Sequence, residues 1–521
     1  MSATETETVA SPATAADAPP HLPRSGWIEH WTPEDPDFWE SHGKPVARRN
    51  LIWSIFAELL GFSVWLLWSV SAAMLAGVGF DFTPQQLFYL VAVPNLVGSL
   101  LRLPYTFAVP RFGGRNWTVA SALLLVIPTV LFAIFVQRPD TPYWVFIVIA
   151  ATAGFGGGNF ASSMASINFF YPTKEKGTAL GLNAAGGNAG VAFIQFFLPI
   201  IVGGAGAFGL VKASQNGIVL ERAGYLYAAL AVLAAVCAYF FMNNLHAAYS
   251  KPREQIAVVK YKHTWVMAFL YIGTFGSFIG YSAAMPLVIK INFFRSPIPG
   301  ESIGINFAFY AFLGALVGSV ARPIGGWLAD KYGGARITLY SFIGLVVGTL
   351  GVLFALAQLK TVPTASPENL AAWKADPSTF PGFSPEIVEA VNYNSGIFPW
   401  FLLAFLSVFV ATGIGNGSTY RMIPAIWKVN AKKAGAAGTS ERIKAESKAT
   451  KEASAVLGIV GAIGALGGFL IPITFGSPWI ADPVEAVWNA FVIFTFFYVV
   501  CVAVTWFFYL RPKSEMGQEH V

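Results

Sequence analysis

Long apolar runs separated by short polar segments fill the chain from residue 51 to residue 510. Twelve of these runs reach the roughly 20 residues that an α-helix needs to cross a bilayer. Because the hydrocarbon core of a bilayer offers the backbone no hydrogen-bonding partners, each run is predicted to be a helix. The predicted spans are 51–76, 87–109, 116–136, 143–170, 178–203, 223–243, 265–292, 305–329, 336–357, 399–427, 452–475 and 488–510.

The composition agrees with a membrane protein. Of the 521 residues, 55% are hydrophobic and only 12% are charged, and the mean hydropathy is +0.58. Soluble domains carry about 25% charged residues. The two cysteines, Cys237 and Cys501, stand alone in apolar runs, so their spacing predicts buried thiols rather than a disulfide or a metal site.

Basic residues concentrate on one side of the predicted topology. If the N-terminus is cytoplasmic, the inner loops hold most of the Lys and Arg residues, among them Arg111, Arg115, Lys174 and Lys176. The long loop at 358–398 on the opposite side is acidic and rich in proline. Because cytoplasmic loops of membrane proteins carry the excess of basic residues, both termini are predicted to be cytoplasmic.

Three sequence features of the first six spans recur in the same order in the last six. They are an arginine followed ten residues later by an aromatic-Gly-Gly turn, a cluster of glycines, and a Leu-Gly pair with two later glycines. The matching segments are 102–115 with 322–336, 154–158 with 413–417, and 180–190 with 457–467. The repeat predicts two parallel six-helix halves that face a central pathway.

The repeat divides the chain into five parts. Residues 1–26 are rich in Ala, Thr, Glu and Pro and contain no apolar core segment, so they are predicted to be disordered and not to form a cleavable signal peptide. The predicted parts are a cytoplasmic, partly disordered N-terminal segment (1–50), an N-terminal six-helix half (51–243), a cytoplasmic linker (244–264), a C-terminal six-helix half (265–510) and a cytoplasmic tail (511–521).

Several segments resemble motifs of a known family. Residues 325–336, which include Asp330, Gly333 and Arg336, resemble the cytoplasmic loop motif of the major facilitator superfamily. Residues 154–190 and 413–427 resemble the paired signature motifs of its nitrate/nitrite porter family. The segments 61–65 and 271–282 are more similar to the bacterial nitrate/nitrite antiporter branch than to the nitrate/proton symporter branch.

The resemblance implies a fold and a location. It implies an all-α polytopic membrane protein with twelve transmembrane helices in two pseudo-symmetric six-helix halves, the major facilitator fold. It also implies a multi-pass protein of the plasma (inner) membrane of a prokaryote. Together with the charge distribution, this places both termini in the cytoplasm.

Two arginines lie inside predicted spans at repeat-equivalent positions, Arg102 and Arg322. A cation at the centre of a membrane helix costs at least ~2.5 kcal/mol, so each needs a partner. Glu58 is the carboxylate at comparable depth and cannot serve both. Either the arginines are structural and bond to backbone carbonyls or Glu58, or they hold an anion. The planar guanidinium fork suits a planar oxyanion.

Further candidate substrate-binding residues follow from the resemblance. In the family, aromatic faces at matching positions sandwich the flat anion, and a tyrosine hydroxyl bonds to it. Carried over, this implies Phe62, Phe160 and Phe275 as walls and Tyr271 as a donor. Asn188 is implied at or near the site, although an asparagine in an apolar helix can equally bond to a neighbouring helix.

Glycines in the fourth, fifth, tenth and eleventh spans are predicted to form a conformational pivot, in which spans four and five move against spans ten and eleven. They are Gly156, Gly158, Gly187, Gly415, Gly417, Gly461 and Gly464. The chain departs from the family's glycine-rich pattern at Ala184 and Ala185, where Gly461 is the repeat partner of Ala184. The added methyl groups are expected to stiffen the pivot at this point.

Glu58 and Arg421 are predicted to lie at similar depth, about 10 Å below the cytoplasmic surface. Opposite charges at one depth in different halves suggest a salt bridge that closes an inner gate. Two alternatives remain open: Glu58 titrates and couples protons to transport, or it simply bonds to a nearby basic residue.

The predicted function is exchange of nitrate and nitrite by alternating access, with the anion held between two arginines. Nitrate/proton symport, carriage of another small anion, and a non-transporting nitrate sensor are the alternatives. An enzyme is not expected, because the spans contain no cluster of His, Cys or carboxylates and all six histidines lie outside them. We expect a monomer with no metal, cofactor or catalytic residue, whose partners are these anions and the lipid bilayer, not nucleic acid.

Overall fold

The computed structural model describes residues 27–204, 206, 217–246, 257–298, 300–432, 439–514 and 516. Over these residues the protein has 12 helices long and apolar enough to cross a membrane, as predicted. They are α1 (Pro36–Val78), α2 (Pro84–Phe112), α3 (Gly114–Phe135), α4 (Tyr143–Phe170), α5 (Thr173–Ile201), α6 (Glu221–Phe241), α7 (Lys262–Phe293), α8 (Phe307–Tyr332), α9 (Gly334–Ala357), α10 (Pro385–Lys432), α11 (Ser440–Phe475) and α12 (Pro483–Leu510).

Short elements outside the spans tie chain segments together. Strand β1 (Trp27–Ile28) pairs in parallel with β2 (Asn244–Leu245), which follows α6, and β3 (Phe294–Ile298) pairs antiparallel with β4 (Glu301–Gly304). The loop before α10 contains a short helix, Pro367–Ala375.

The segment that precedes α1 packs on the turn between α4 and α5. The Trp31 indole N–H donates to the Phe170 carbonyl over 3.2 Å, and the Trp39 indole N–H donates to the Glu175 carboxylate over 3.0 Å. The Glu34 carboxylate accepts from the backbone N–H of Thr173 over 2.8 Å, at the first residue of α5. A carboxylate there is favourable because the N-terminus of a helix carries partial positive charge.

The repeat is visible where α2 and α8 end. Gly113 follows α2 with φ +86°, and Gly333 follows α8 with φ +92°. Residues with a side chain rarely adopt this left-handed region, so glycine at each of the two positions lets the chain turn directly into the next helix. The two Gly-Gly turns of the sequence therefore have the same conformational role in both halves.

Three helix pairs form most of the contact between the two six-helix bundles. Helix α1 packs against α7, α2 packs against α11, and α5 packs against α8. The second and third pairs are related by the internal repeat. The middle of this interface is where Arg102, on α2, and Arg322, on α8, are buried.

Hydrogen bonds link the halves near the ends of α1 and α7, the side that the predicted topology places outside. The Lys290 ammonium on α7 donates to the Ala73 carbonyl on α1 over 2.7 Å. The buried Gln195 amide on α5 donates to the Ser282 carbonyl on α7 over 2.6 Å and to the Ser69 hydroxyl on α1 over 3.3 Å. These bonds hold α1, α5 and α7 together on that side.

Replacing Lys290 with methionine should loosen this closure. The variant keeps the apolar stem and loses a charged hydrogen bond, which contributes about 1.5–3 kcal/mol, so opening should become roughly tenfold or more frequent. Hydrogen–deuterium exchange at the ends of α1 and α7 measures this. Lys360→Met is the control, because Lys360 forms an exposed pair with Glu389 within the C-terminal half. Unchanged exchange in the Lys290 variant would contradict a closing role.

Candidate anion-binding site

Arg102 bridges the two halves. The side chain is fully buried on α2. Its Nε donates to the Gly157 carbonyl on α4, and its Nη1 donates to the Gly461 carbonyl on α11, both over 3.0 Å. Its Nη2 is buried without a hydrogen-bond partner among the described residues. Backbone carbonyls therefore accept from two of the three guanidinium nitrogens, as the structural alternative predicted, and Nη2 is left without a partner among the described residues.

Arg322 approaches from the other half. It lies on α8, is 5% exposed, and has a buried Nη1 that no described residue satisfies. Its guanidinium carbon lies 5.4 Å from the centre of the Phe160 ring, and that of Arg102 lies 4.8 Å from the same ring. Both guanidinium groups also contact Phe275, at 6.0 Å and 4.8 Å. The structure therefore brings both arginines to one pair of rings.

The predicted aromatic residues form one buried stack. The rings of Phe160 and Phe275 are 6.0 Å apart and 23° from parallel, and those of Tyr271 and Phe275 are 5.3 Å apart and 16° from parallel. Phe62 meets Phe160 edge-on at 6.2 Å. A planar anion between two faces needs about 7 Å, twice the contact distance of about 3.5 Å. In this conformation the slot between Phe160 and Phe275 is therefore too narrow for the expected sandwich.

A π-helical turn, Ile272–Gly276, lies within α7 and contains Phe275. Such widened turns are frequent at functional sites, and this one was not predicted from the sequence. The Tyr271 ring beside it packs on Gly464, where an added Cβ would lie 2.4 Å from the Tyr271 Cδ1. Glycine at 464 therefore lets α11 approach Tyr271, whose buried hydroxyl lies beside the two guanidinium groups.

Asn188 lies on the part of α5 that packs against α1. The side chain is fully buried, and neither its oxygen nor its nitrogen has a partner in the described part of the chain. On either side of it, an added Cβ at Gly187 would lie 2.5 Å from Glu58 Oε1, and one at Gly190 would lie 3.1 Å from the Phe62 Cβ. Asn188 thus adds an unsatisfied amide to the same interior.

Two residues of this cluster were missed by the sequence reasoning. The Trp65 ring lies 5.3 Å from the Arg102 guanidinium carbon, and its indole N–H donates to the Pro94 carbonyl over 2.9 Å. The Tyr420 ring lies 5.6 Å from the Arg322 guanidinium carbon and 6.2 Å from the Tyr271 ring. Both fall within segments singled out by family resemblance, but no local pattern separates them from other aromatic residues.

The glycines predicted as a pivot have different neighbours from those expected. An added Cβ at Gly156 would lie 2.0 Å from the Gly61 carbonyl oxygen on α1, and one at Gly158 would lie 2.6 Å from the Tyr105 ring on α2. In the other half, an added Cβ at Gly415 would lie 2.7 Å from the Thr274 side chain on α7, and one at Gly417 would lie 2.1 Å from the Arg322 carbonyl oxygen on α8. These glycines pack helices within one half.

The expected contact of α4 and α5 with α10 and α11 through those glycines is therefore wrong for this conformation. Gly187 packs on Glu58 of its own half, and Gly464 packs on Tyr271 of its own half. Gly461 is the exception, because its carbonyl accepts from Arg102 across the interface. Most of these glycines therefore allow helices of the same half to pack closely, which makes each half rigid.

The structure does not pair Glu58 with Arg421. Glu58 is 1% exposed, and its Oε2 accepts from the Ser163 hydroxyl and, over 2.7 Å, from the Asn183 amide. The Arg421 side chain is 52% exposed and pairs with Asp330. The depth estimate failed because α1 begins at Pro36 and α10 continues to Lys432, so the helix ends are not where the apolar runs end.

The loop motif joins α8, α9 and α10. Asp330, in the last turn of α8, accepts from Arg421 on α10. Gly333 ends α8, and Arg336 is exposed in the first turn of α9. A half-exposed ion pair contributes about 0–1 kcal/mol, so this contact fixes geometry more than it adds stability.

The described ranges contain no group of three or more His, Cys, Asp or Glu side chains that could bind a metal ion. Cys237 and Cys501 are buried free thiols, as predicted. His263, expected outside the spans, is buried in the first turn of α7 and contacts the Tyr509 hydroxyl at 3.1 Å, because α7 starts earlier than its apolar run.

Two helix bundles around a buried cationic site define the general class, a secondary transporter with parallel repeats. The family model described as Major Facilitator Superfamily matches residues 55–440. The chain is 38% identical over 494 residues to the nitrate/nitrite transporter NarU of Escherichia coli K12, covering 93% of this chain and 96% of NarU. The chain belongs to the major facilitator superfamily and, within it, to the nitrate/nitrite porter family.

Other similar proteins agree with this assignment. A Thermus thermophilus protein named "Probable nitrate/nitrite antiporter NarK2" is 36% identical over 413 residues, covering 77% of this chain and 83% of that protein. The crystal structure of a D-xylose-proton symporter superposes with a TM-score of 0.56 at 14% identity, covering 88% of this chain and 96% of the symporter. The similarity to the xylose symporter supports the fold alone.

Replacing Arg102 with lysine should abolish high-affinity anion binding. A lysine ammonium has no planar fork and cannot keep both carbonyl bonds while presenting a further donor. Each lost charged hydrogen bond contributes about 1.5–3 kcal/mol, so nitrate affinity should fall roughly 10- to 100-fold or more. Titration of purified protein with nitrate measures this. Arg115→Lys is the control, because Arg115 is partly exposed on the Tyr239 ring, remote from the site.

Replacing Gly464 with alanine should displace Tyr271 and lower transport activity by about tenfold or more, because a contact of this kind cannot be relieved without moving the ring. The control is Gly181→Ala, where an added Cβ meets nothing within 4 Å. Anion uptake by proteoliposomes, with protein folding checked by thermal unfolding, compares the two. Equal activity of both variants would contradict a positioning role for Gly464.

Proposed function

We propose that the protein transports nitrate and nitrite, with the anion bound between Arg102 and Arg322. The observation that carries the proposal is the pair of buried guanidinium groups, one from each half, that meet at the same aromatic rings. Each keeps one nitrogen, Arg102 Nη2 and Arg322 Nη1, without a partner among the described residues. The names of the similar proteins, nitrate/nitrite transporters and antiporters, favour these substrates.

The charges at the site suit a small monovalent anion. Two arginines supply two positive charges, and Glu58 is the carboxylate that acts on both of them. A bound anion supplies negative charge, and its oxygens can accept from the free guanidinium nitrogens. The Tyr271 hydroxyl and the Asn188 amide are further donors in the same interior. An anion therefore relieves both the charge excess and the unsatisfied donors.

The aromatic stack supports a flat substrate. Nitrate is trigonal and nitrite is bent, so either can lie along ring faces where a tetrahedral anion cannot. The rings of Phe160 and Phe275 belong to opposite halves, on α4 and α7. The gap between them widens or narrows as the halves move, so an anion that enters the slot holds it near 7 Å, about two contact distances.

The same contacts suggest exchange as the transport mode. An anion between Arg102 and Arg322 neutralises repulsion between the halves and lets the loaded carrier reorient, whereas in an empty site the single Glu58 carboxylate leaves one net positive charge between the halves. The distribution of basic residues favours cytoplasmic termini, and the bacterial sources of the similar proteins favour a prokaryotic plasma membrane. We infer a monomer that acts as a carrier rather than an enzyme.

Counterflow in liposomes tests this function. Purified protein is reconstituted with unlabelled nitrite inside, and labelled nitrate is added outside without a pH gradient. We expect rapid nitrate uptake that needs internal nitrite or nitrate, and at least about tenfold slower uptake into empty liposomes, because loading lowers the barrier to reorientation.

Two comparisons make the counterflow result specific. Arg115→Lys should exchange at the rate of the unaltered protein, whereas Arg102→Lys should not exchange. Internal sulfate should not support nitrate uptake, since its tetrahedral shape does not fit a flat slot. Equal uptake with nitrite, sulfate or nothing inside would overturn nitrate/nitrite exchange.

A further inference from the structure

A second group of buried polar side chains lies beyond the anion site, on the side that the predicted topology places outside. On each of three helices, a polar residue stands seven positions further out than a residue of the anion site. The pairs are Arg102 and Asn95 on α2, Asn188 and Gln195 on α5, and Phe275 and Ser282 on α7. Seven residues are close to two helical turns, so each polar residue continues the same helix face about 10 Å further along the axis.

Contacts between helices place these side chains at the interface of the two halves. The Gln195 amide donates to the Ser282 carbonyl over 2.6 Å, which joins α5 to α7. An added Cβ at Gly468 on α11 would lie 2.7 Å from Asn95 Oδ1 and 2.8 Å from Ile279 Cγ2, so Asn95 reaches α11 beside α7. Asn95 and Gln195 come from one half and Ser282 from the other. We call these three residues the outer polar layer.

The outer polar layer is incompletely hydrogen-bonded. All three side chains are fully buried. Asn95 Oδ1, Gln195 Oε1 and Ser282 Oγ have no partner in the described part of the chain. Burying an unpaired polar group costs free energy, so a layer that only closed the pathway would be expected to pair these groups or to be apolar. The unpaired groups indicate a ligand that binds when the halves separate on this side.

Positive charge lies on both sides of the outer polar layer. The two arginines of the anion site lie inward of it, and Lys290 lies outward, eight residues beyond Ser282 on α7. The three side chains of the layer are neutral. Glu58 precedes Phe62 by about one turn of α1, so it lies toward the side predicted to be cytoplasmic, away from the layer. The electrostatic potential at the layer therefore favours an anion.

We propose that Asn95, Gln195 and Ser282 form a second, weaker anion-binding site, which nitrate and nitrite occupy between the outside and the two arginines. The proposal rests on the proposed function, because it gives the same substrates a second site on their route. When the halves separate on the outer side, the Gln195 amide leaves the Ser282 carbonyl. The amide N–H groups and the Ser282 hydroxyl then donate to the anion.

The chemistry of the layer suits a site of passage. Neutral amides and a hydroxyl bind an anion more weakly than a guanidinium fork does. A weak site next to a strong one lets an anion enter and leave without being trapped. The site at the arginines holds the anion while the halves move, and the outer polar layer replaces part of its hydration shell before and after that step.

The reaction of one introduced cysteine with charged reagents tests the second site. The natural cysteines, Cys237 and Cys501, are buried, so Ser282→Cys supplies an accessible thiol of nearly the same size as the serine. In right-side-out membrane vesicles, an anionic methanethiosulfonate should modify this thiol at least about tenfold faster than a cationic one. Nitrate should slow the modification. Ser71→Cys is the control and should not react, because Ser71 is buried two residues from Ser69 and faces away from it on α1.

A second comparison separates the outer site from the arginines, since nitrate bound at the arginines also changes how often the halves separate. With Arg102→Lys added to Ser282→Cys, nitrate should still slow the modification, although higher concentrations are needed than for the site at the arginines. Adding Asn95→Ala should raise the required concentration a further three- to tenfold or so, the contribution of one neutral hydrogen bond.

The possible outcomes distinguish the second site from the proposed function. Absent modification, equal rates with the two reagents, or nitrate protection that disappears with Arg102→Lys would overturn the second site and leave the proposed function intact. If Ser282→Cys does not fold, Asn95→Cys provides the same test from α2. Failure of the unaltered protein to bind nitrate would instead overturn the proposed function and the second site together.

Discussion

The structure depends on keeping two guanidinium groups between helix bundles in a membrane interior. Water cannot solvate Arg102 or Arg322 there, so protein groups must compensate a desolvation of at least ~2.5 kcal/mol for each. Backbone carbonyls, aromatic faces and a single carboxylate share this compensation. None of them neutralises both charges. The arrangement of α4 follows from this requirement, because the Gly157 carbonyl reaches Arg102 where an added Cβ at Gly157 would lie 2.8 Å from the Gly98 Cα on α2.

Stiff halves follow from the glycine positions. Within each half, Gly156 and Gly417 place backbone directly against backbone, and substitution there would force whole helices apart. Between the halves, the described polar contacts are fewer and involve single side chains such as Lys290 and Gln195. Movement of one half relative to the other therefore requires little free energy within each half. The free energy of this movement depends on the groups that form contacts between the halves.

Much of the fold and the central residues could be predicted from the sequence, for identifiable reasons. A bilayer forces long apolar runs to be helices, and a repeat relates Arg102 to Arg322 across the halves. Side-chain direction and helix extension cannot be obtained this way. For this reason the predicted pairing of Glu58 with Arg421 was wrong. For the same reason, Trp65, Tyr420 and the π-turn at Ile272–Gly276 were not predicted. The glycine motif indicated close packing correctly, but spacing alone could not identify which helix each glycine meets.

The pairing of β1 with β2 bears on how the chain is made. It joins the segment before α1 to the segment just after α6, so the N-terminal bundle is complete once residue 245 has been synthesised. Domains made first fold first. Arg102 then already has the Gly157 carbonyl, but its second acceptor, Gly461, lies more than two hundred residues further along the chain. During biosynthesis the first bundle therefore holds an incompletely bonded cation at its surface, which becomes part of the recognition surface for the second bundle when α11 inserts.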